Sequence, residues 1–321
     1  SMHLSHHITT LTHIPEGADG YILAQLLSRQ KGIQDILHIA RNDARMEQLA
    51  ESVAFFAPEV EIHLLPAWDC QPYDRVSPNH TITSRRMETL CRLAVQRAKG
   101  NHKAKRLTLT TVNAVMQRIP AWEALSQSIF HAEIGQDIGL EKVIGFLVRH
   151  GYVRSGTANE PGEFAVRGGI IDIVASGHEE GVRLDFFGDT LDNIRLFDPL
   201  TQISSGELPR ITIKPASEIP SHAEAIQHFR QQYRAMFGAT QGNDPLYEAV
   251  SEGRKYPGME HWLPLFYEKL DTLFSEIAAQ VNALQATGRD LNGNVPVAPN
   301  HEVFTLAAGT GLDIFNYSIN A

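Results

Sequence analysis

Cysteine, basic residues and long apolar runs are all scarce in this sequence. The chain of 321 residues has only two cysteines, Cys70 and Cys91, too few and too unpatterned for a disulfide framework or a zinc site. No stretch approaches the roughly 20 apolar residues that a membrane span needs. The N-terminus also lacks the basic and then apolar layout of a signal peptide. We therefore expect a cytoplasmic protein without a membrane segment.

The charge balance argues against a protein that binds nucleic acid over its main surface. Asp and Glu number 37 and Lys and Arg number 28, which gives a formal net charge of −9. A surface that binds phosphate groups needs clustered Lys and Arg. The composition leaves room for a local basic patch, but it disfavours an autonomous DNA-binding domain.

The first part of the chain, residues 1–125, alternates between helical and strand patterns. Apolar residues in 43–56 recur at spacings of three and four, which predicts an amphipathic helix. A second helical pattern covers residues 83–98. Short strand-like runs are found at 35–40, 61–65 and 107–111. Strands that alternate with helices predict a parallel sheet covered on both faces, so we expect an α/β lobe.

The pattern changes in residues 126–213, where one helix is followed by hairpin material. The helix is predicted over 140–150, with Gly151 as a C-terminal cap. Together with the strands that follow it, this helix indicates a small inserted α+β domain. The predicted strand regions are 163–174, 182–187 and 193–197. The third part, 214–321, is expected to return to the first lobe. It contains a helical stretch at 222–237, an aromatic-rich run at 247–274 and, from residue 288, a segment expected to be irregular.

The turn at residues 15–21 is where an α/β lobe of this kind would hold ATP. A working phosphate loop supplies a Lys for the β- and γ-phosphates and a Ser or Thr for magnesium, and this turn has neither. Glu16 and Asp19 would instead repel a triphosphate, at a cost on the order of 1 kcal/mol for each close pair. We therefore expect no ATPase activity and no cofactor in this chain.

Three parts of the sequence resemble a known family. Residues 65–78, then 162–173 with 183–189, and finally 256–266 resemble the front of the bacterial transcription-repair coupling factors, the Mfd proteins, in the family's order. The second of these parts also resembles a domain of the excision-repair helicase UvrB. The resemblance implies a degenerate UvrB-like helicase lobe with an inserted domain that recruits UvrA.

The same resemblance implies that the chain is a fragment and is not itself an enzyme. In this family the ATP-dependent DNA translocase motor, with its ATP and magnesium, lies further along the polypeptide. The contacts with RNA polymerase and DNA lie there as well. The alternative, from another functional class, is a UvrB-like ATP-dependent helicase lobe that binds DNA.

Strand alternation suggests where a protein partner would bind. In a strand at 182–187, Leu184 and Phe186 share one face, while Arg183 and Phe187 share the other. If the first face is the core, Arg183 and Phe187 lie on the surface, and Arg167 lies beside them across the hairpin. Arginines next to an exposed aromatic ring are typical of interface hot spots. The resemblance independently assigns the UvrA contacts to Arg167, Arg183 and Phe187.

A second interpretation of these residues needs no partner. Exposed arginines are common on strands, and in this interpretation Arg183 pairs with Asp172 or Asp185. Phe187 then turns into a small core.

The Pro-rich loop after residue 65 offers a possible nucleic-acid contact. Trp68, Tyr73 and Arg75 resemble the aromatic and basic residues on which single-stranded nucleic acid stacks. Asp69 and Asp74 lie in the same loop and oppose that role, so we favour domain packing for these side chains.

Overall fold

The structure is a computed structural model with two compact units. It describes residues 15, 17–29, 33–70, 75–99, 104–176, 178–238, 244–268, 270–272, 304–309 and 318–319. The first unit consists of residues 1–67, 92–118 and 272–321, and the second consists of residues 68–91 and 119–271. No helix in the described part of the chain is long and apolar enough to cross a membrane. The three-domain division expected from the sequence remains a prediction.

Helices and strands alternate along most of the described chain. The helices are α1 (Ala18–Arg29), α2 (Asp43–Phe56), α3 (His80–Lys99), α4 (Val112–Met116), α5 (Trp122–Gln127), α6 (Leu140–Arg149), α7 (Ala223–Phe237) and α8 (Pro245–Ser251), with a 3₁₀ helix at Met259–Leu265. The strands are β1 (Ile33–Ala40), β2 (Glu61–Leu65), β3 (Arg106–Thr111), β4 (Arg118–Pro120), β5 (Phe130–Glu133), β6 (Val153–Arg154), β7 (Glu163–Arg167), β8 (Ile170–Val174), β9 (Gly181–Phe187), β10 (Thr190–Phe197), β11 (Ser204–Glu207), β12 (Arg210–Ile213), β13 (Leu270–Thr272), β14 (Phe304–Gly309) and β15 (Ser318–Ile319). The α/β character that the sequence predicts is confirmed.

The first unit is built on a sheet with the strand order β15-β14-β1-β3-β2. Strands β1, β3 and β2 are parallel, as predicted. Strand β14 pairs antiparallel with β1, so the whole sheet is mixed, and the expectation of an irregular segment after residue 288 is wrong for residues 304–309. This run contains small residues and few strand signals, and backbone pairing with β1 defines it as a strand.

Helices α1 and α2 pack closely in the first unit because Gly20 carries no side chain. A Cβ atom at Gly20 would lie 2.1 Å from the Ser52 hydroxyl. The α2 helix begins where the Asn42 side chain accepts a hydrogen bond from the Arg45 amide, at 2.9 Å. The core beneath these helices is apolar, and its fully buried members include Leu27, Met46, Leu49, Val53, Leu107 and Leu109.

The second unit contains a sheet with the strand order β11-β10-β9-β8-β7-β6. Its pairs are antiparallel, except that β6 and β7 are parallel. One face carries a core to which α6 contributes Val143, Phe146 and Leu147. The α6 helix stops where the sequence predicts, since Gly151 has a φ of 86° and the Tyr152 amide donates to the Leu147 carbonyl at 3.0 Å. We call the opposite face of this sheet, which carries Arg167, Asp172, Arg183, Asp185 and Phe187, the outer face.

Candidate protein-interaction site

Strand β9 alternates between the core and the outer face as the sequence predicts. Val182, Leu184 and Phe186 are buried in the apolar core, whereas Arg183 is half-buried and Phe187 is exposed. The two arginines and the aromatic ring selected from the sequence therefore lie on one face of one sheet.

Phe187 is among the most exposed large apolar side chains of the described residues. It is 84 % exposed and ends β9, directly before the turn in which Gly188 has a φ of 62°. The interpretation in which Phe187 turns into a small core is therefore wrong. The ring therefore lies in solvent at the end of β9.

Arg167 ends β7 and is exposed, and it lies at the same end of the sheet as Phe187. Its register partner on β8 is Ile170, which in turn pairs with Asp185 on β9. Strand β8 thus lies between Arg167 and β9, so Arg167 is not the direct cross-strand neighbour of Arg183 or Phe187 that the sequence suggested. Gly169 brings this hairpin close to β9, since a Cβ atom there would lie 2.7 Å from the Phe186 carbonyl oxygen.

Arg183 is engaged by Asp172 on the neighbouring strand. The Arg183 Nε donates to Asp172 Oδ1 at 2.7 Å and its Nη2 donates to Oδ2 at 2.9 Å. The Arg183 side chain is 19 % exposed and that of Asp172 is 4 % exposed. Hydrogen bonding to Asp172 raises the pKa of Arg183 above its ordinary value. This is one of the two pairings in the interpretation that needs no partner, and it uses two of the guanidinium nitrogens.

A third arginine, which the sequence pattern alone did not single out, belongs to the same face. Arg195 of β10 is in register with Arg183 and donates from Nη2 to Asp185 Oδ2 at 3.1 Å. Its Nε is buried and has no hydrogen-bond partner among the described residues. Alternation along residues 193–197 could have placed Arg195 on this face, because Ile194 beside it is an obvious core residue.

A loop at residues 155–160 covers the part of the outer face that is farthest from Phe187. Ala158 of this loop is fully buried and packs with Ala165, Val174 and Phe197. The carboxylate of Glu163 accepts the amides of residues 159 and 160, at 3.0 and 3.1 Å. The outer face is therefore closed at one end and open at the other, where Arg167 and Phe187 lie.

At the turn that would hold a nucleotide, the negative charge of Asp19 is not left uncompensated, contrary to what the sequence suggested. Asp19 forms an ion pair with Arg45 of α2, so its charge is compensated, and its Oδ1 also accepts the Gly20 amide at 3.0 Å. Glu16 lies outside the described residues. No cluster of three or more His, Cys, Asp or Glu suited to a metal occurs in the part of the chain that the structure describes.

Trp68 packs inside the second unit, as favoured from the sequence. Its Nε1 donates to Glu218 Oε1 at 3.1 Å, and the Arg86 guanidinium lies 5.2 Å from its ring. Arg75 is exposed, and Tyr73 lies outside the described residues. The Trp68 side chain therefore takes part in packing within the second unit.

Comparisons with known proteins agree with this geometry. The family description "UvrB interaction domain" matches residues 130–219, which include α6 and all six strands of the sheet with the outer face. The transcription-repair-coupling factor of Rickettsia bellii is 34 % identical over 240 residues, which are 75 % of this chain and 21 % of that protein. Those of Haemophilus influenzae and Escherichia coli are each 31 % identical, over 272 and 271 residues, covering 84 % of this chain and 23 % of each protein.

The chain spans about a fifth of the length of these curated relatives. A match over 84 % of the chain is longer than either unit, so it includes residues of both. Over this part of its relatives' length, the chain is similar to the bacterial transcription-repair-coupling factors, and its residues 130–219 match the UvrB interaction domain.

Proposed function

We propose that this chain is the protein-interaction module of a transcription-coupled DNA repair factor, and that it recruits UvrA to stalled RNA polymerase. The observation that carries the proposal is the open end of the outer face. There Arg167 and the 84 % exposed ring of Phe187 lie on one side of the UvrB interaction domain.

The chemistry of this open end suits a protein partner. Burial of a Phe side chain contributes about 1.5–3 kcal/mol, so leaving Phe187 in solvent forgoes stability that a partner could recover. Arg167 can donate to a carboxylate from Nε or Nη1, since only its Nη2 bonds to the loop among the described residues. Aromatic and arginine side chains dominate interface hot spots. UvrA would therefore offer an acidic group to Arg167 and an apolar pocket to Phe187.

Arg183 contributes in a different way from Arg167. The Asp172 carboxylate engages its Nε and one Nη atom, which leaves Nη1 for a partner. In this proposal Arg167 and Phe187 make the main contacts with UvrA, and Arg183 supports the centre of the same surface.

The chain itself is proposed to lack ATPase activity. The turn before α1 offers no Lys for phosphate and no Ser or Thr for magnesium. The Gly20 amide, which could otherwise face a phosphate, donates its hydrogen bond to Asp19 Oδ1. We assign ATP, magnesium and the contacts with RNA polymerase and DNA to parts of the full-length protein beyond these 321 residues.

One pair of experiments tests both parts of the proposal. Immobilised chain is expected to retain UvrA, while the triple variant Arg167→Ala/Arg183→Ala/Phe187→Ala is expected to lose it and to keep the far-ultraviolet circular dichroism of the parent. Equal retention of UvrA by a folded triple variant would overturn the assignment of the site. Calorimetry with ATP and magnesium is expected to give no binding heat, and saturable binding would favour the UvrB-like helicase lobe instead.

A further inference from the structure

The loop at residues 155–160 does more than cover part of the outer face, because it also holds Arg167. The Ser155 amide donates to the Phe164 carbonyl at 2.9 Å, and the Ser155 hydroxyl donates to the Thr157 carbonyl at 2.7 Å. Gln202 donates to the Ala158 carbonyl at 3.1 Å. The loop is therefore fixed at its start and in its middle, with Thr157 between these two anchors.

Arg167 is attached to this fixed loop by two hydrogen bonds. Its Nη2 donates to the Gly156 carbonyl and to the Thr157 hydroxyl, each at 3.1 Å. Every hydrogen-bond partner of Arg167 in the described part of the chain is neutral. The guanidinium is therefore oriented by the loop while its positive charge remains uncompensated, in contrast to Arg183 and Arg195, which both have a carboxylate partner.

We propose that Thr157 is a positioning residue, which holds Arg167 on the outer face so that its guanidinium is preorganised for one carboxylate of the protein partner. The inference rests on the proposed function, since it concerns the same surface. A free arginine side chain samples many rotamers and loses that freedom when it binds. An arginine that is already oriented in the unbound protein loses less, and the interface gains affinity without a new contact.

The Thr157 hydroxyl can be removed with little change of shape. Thr157→Val is nearly isosteric and removes the hydrogen bond, whereas Thr157→Ser keeps the hydroxyl. Thr212 supplies a matched control, because it is likewise half-buried, its hydroxyl is hydrogen-bonded to His131 Nδ1 at 3.1 Å, and it lies on β12, outside the six-stranded sheet. Thr212→Val therefore makes the same chemical change outside the sheet that carries Arg167.

The experiment measures the affinity of these variants for UvrA by titration calorimetry, with the whole 321-residue chain. Thr157→Val is expected to weaken binding about fivefold, the scale of one side chain that must be ordered on binding. Thr157→Ser and Thr212→Val are expected to bind like the parent. In an Arg167→Ala background, Thr157→Val is expected to have no further effect, because the residue it positions is gone. All variants are expected to melt at the temperature of the parent within a few degrees.

The outcomes separate this inference from the proposed function. Parental affinity of Thr157→Val, together with weakened binding by Arg167→Ala, would overturn the positioning role and leave the interface intact. A loss that persists in the Arg167→Ala background would also overturn it, because Thr157 would then act by another route. If Arg167→Ala and Phe187→Ala both bind UvrA like the parent, the proposed interface fails and the role of Thr157 fails with it.

Discussion

Arg183 on β9 forms a two-bond fork with Asp172 on β8, with Nε–Oδ1 at 2.7 Å and Nη2–Oδ2 at 2.9 Å. The Asp172 side chain is only 4 % exposed, and Arg183 supplies the positive charge that pairs with it. Arg167, two strands away from Arg183, has neutral partners and an open approach. The sequence assigned Arg167 and Arg183 alike to the partner contact, but Arg183 balances a buried carboxylate whereas Arg167 remains open to a partner.

Arg183→Ala is expected to lower the free energy of unfolding of the second unit by about 1–3 kcal/mol, because it leaves a buried carboxylate without its donor. Adding Asp172→Asn should restore part of this loss, since the stranded charge disappears. Urea unfolding followed by tryptophan fluorescence measures the effect on this unit alone, because Trp68, Trp122 and Trp262 all lie in it. A single variant as stable as the parent would show that the fork is dispensable.

Arg167→Glu is expected to weaken UvrA binding by about 2 kcal/mol or more, the scale of a hot-spot residue. Its unfolding free energy should remain within about 0.5 kcal/mol of the parent, since Arg167 is exposed and has no carboxylate partner in the described part of the chain. The matched control is Arg210→Glu, which makes the same charge change at an exposed position of β12, outside the six-stranded sheet. Similar losses in the two variants would point to net charge and not to a local contact.

Phe187→Ala is expected to weaken UvrA binding by about 2 kcal/mol, because the ring would fill an apolar pocket of the partner. The side chain is 84 % exposed, so the unfolding free energy should change by less than about 0.5 kcal/mol. Phe187→Leu should retain part of the affinity. Calorimetry and urea unfolding on the same preparations separate the two effects, and loss of stability without loss of binding would contradict the assignment.

Arg86→Met is expected to destabilise the second unit by about 3–5 kcal/mol, since it removes the cation from a buried ion pair. Arg86 is 0 % and Glu218 is 2 % exposed at the side chain, and the Arg86 Nε donates to Glu218 Oε1 at 2.6 Å. Glu218→Gln added to Arg86→Met should recover part of the loss, because the neutral amide can still accept the Trp68 indole. The tryptophan fluorescence transition in urea measures both variants, and a double variant weaker than the single one would contradict this account.

His150 is expected to make the second unit less stable in mild acid. Burial, the charge of Arg149 and the nearby His222 lower the pKa of His150 to about 4. The unfolded chain takes up this proton near pH 6.5 and the folded chain does so only near pH 4, so stability falls as the pH is lowered between these values. The stability of the parent minus that of His150→Gln should decline through this window and level off below it. Urea unfolding from pH 7.5 to pH 4 measures the difference, and a constant difference would contradict the assigned cause.

Much of the candidate site could be predicted because it depends on local periodicity. The alternation of Arg183, Leu184 and Phe187 needs only the two-residue repeat of a strand, and it correctly assigns each side chain to a face. Helix α6 and its termination at Gly151 follow from an apolar stripe and a glycine. Each of these signals is local, since it lies within one short stretch of neighbouring residues, so a single sequence contains it.

The partners of the charged side chains could not be predicted in the same way. Asp172 and Asp185 were equally good partners for Arg183 in the sequence, and the register of β8 with β9 selects Asp172. Asp185 pairs with Arg195 instead. The Arg45 partner of Asp19 was missed for the same reason, because it lies on another helix.

The sequence by itself determined the helices, the strand faces and the family resemblance, since each of these depends on the order and spacing of nearby residues. Tertiary structure decided which charges are compensated, which arginine remains open to a partner, and that residues 304–309 form a strand. The physical reason is that a salt bridge or a strand pair joins residues distant in the chain, such as Arg86 and Glu218, and only the completed fold brings them within bonding distance.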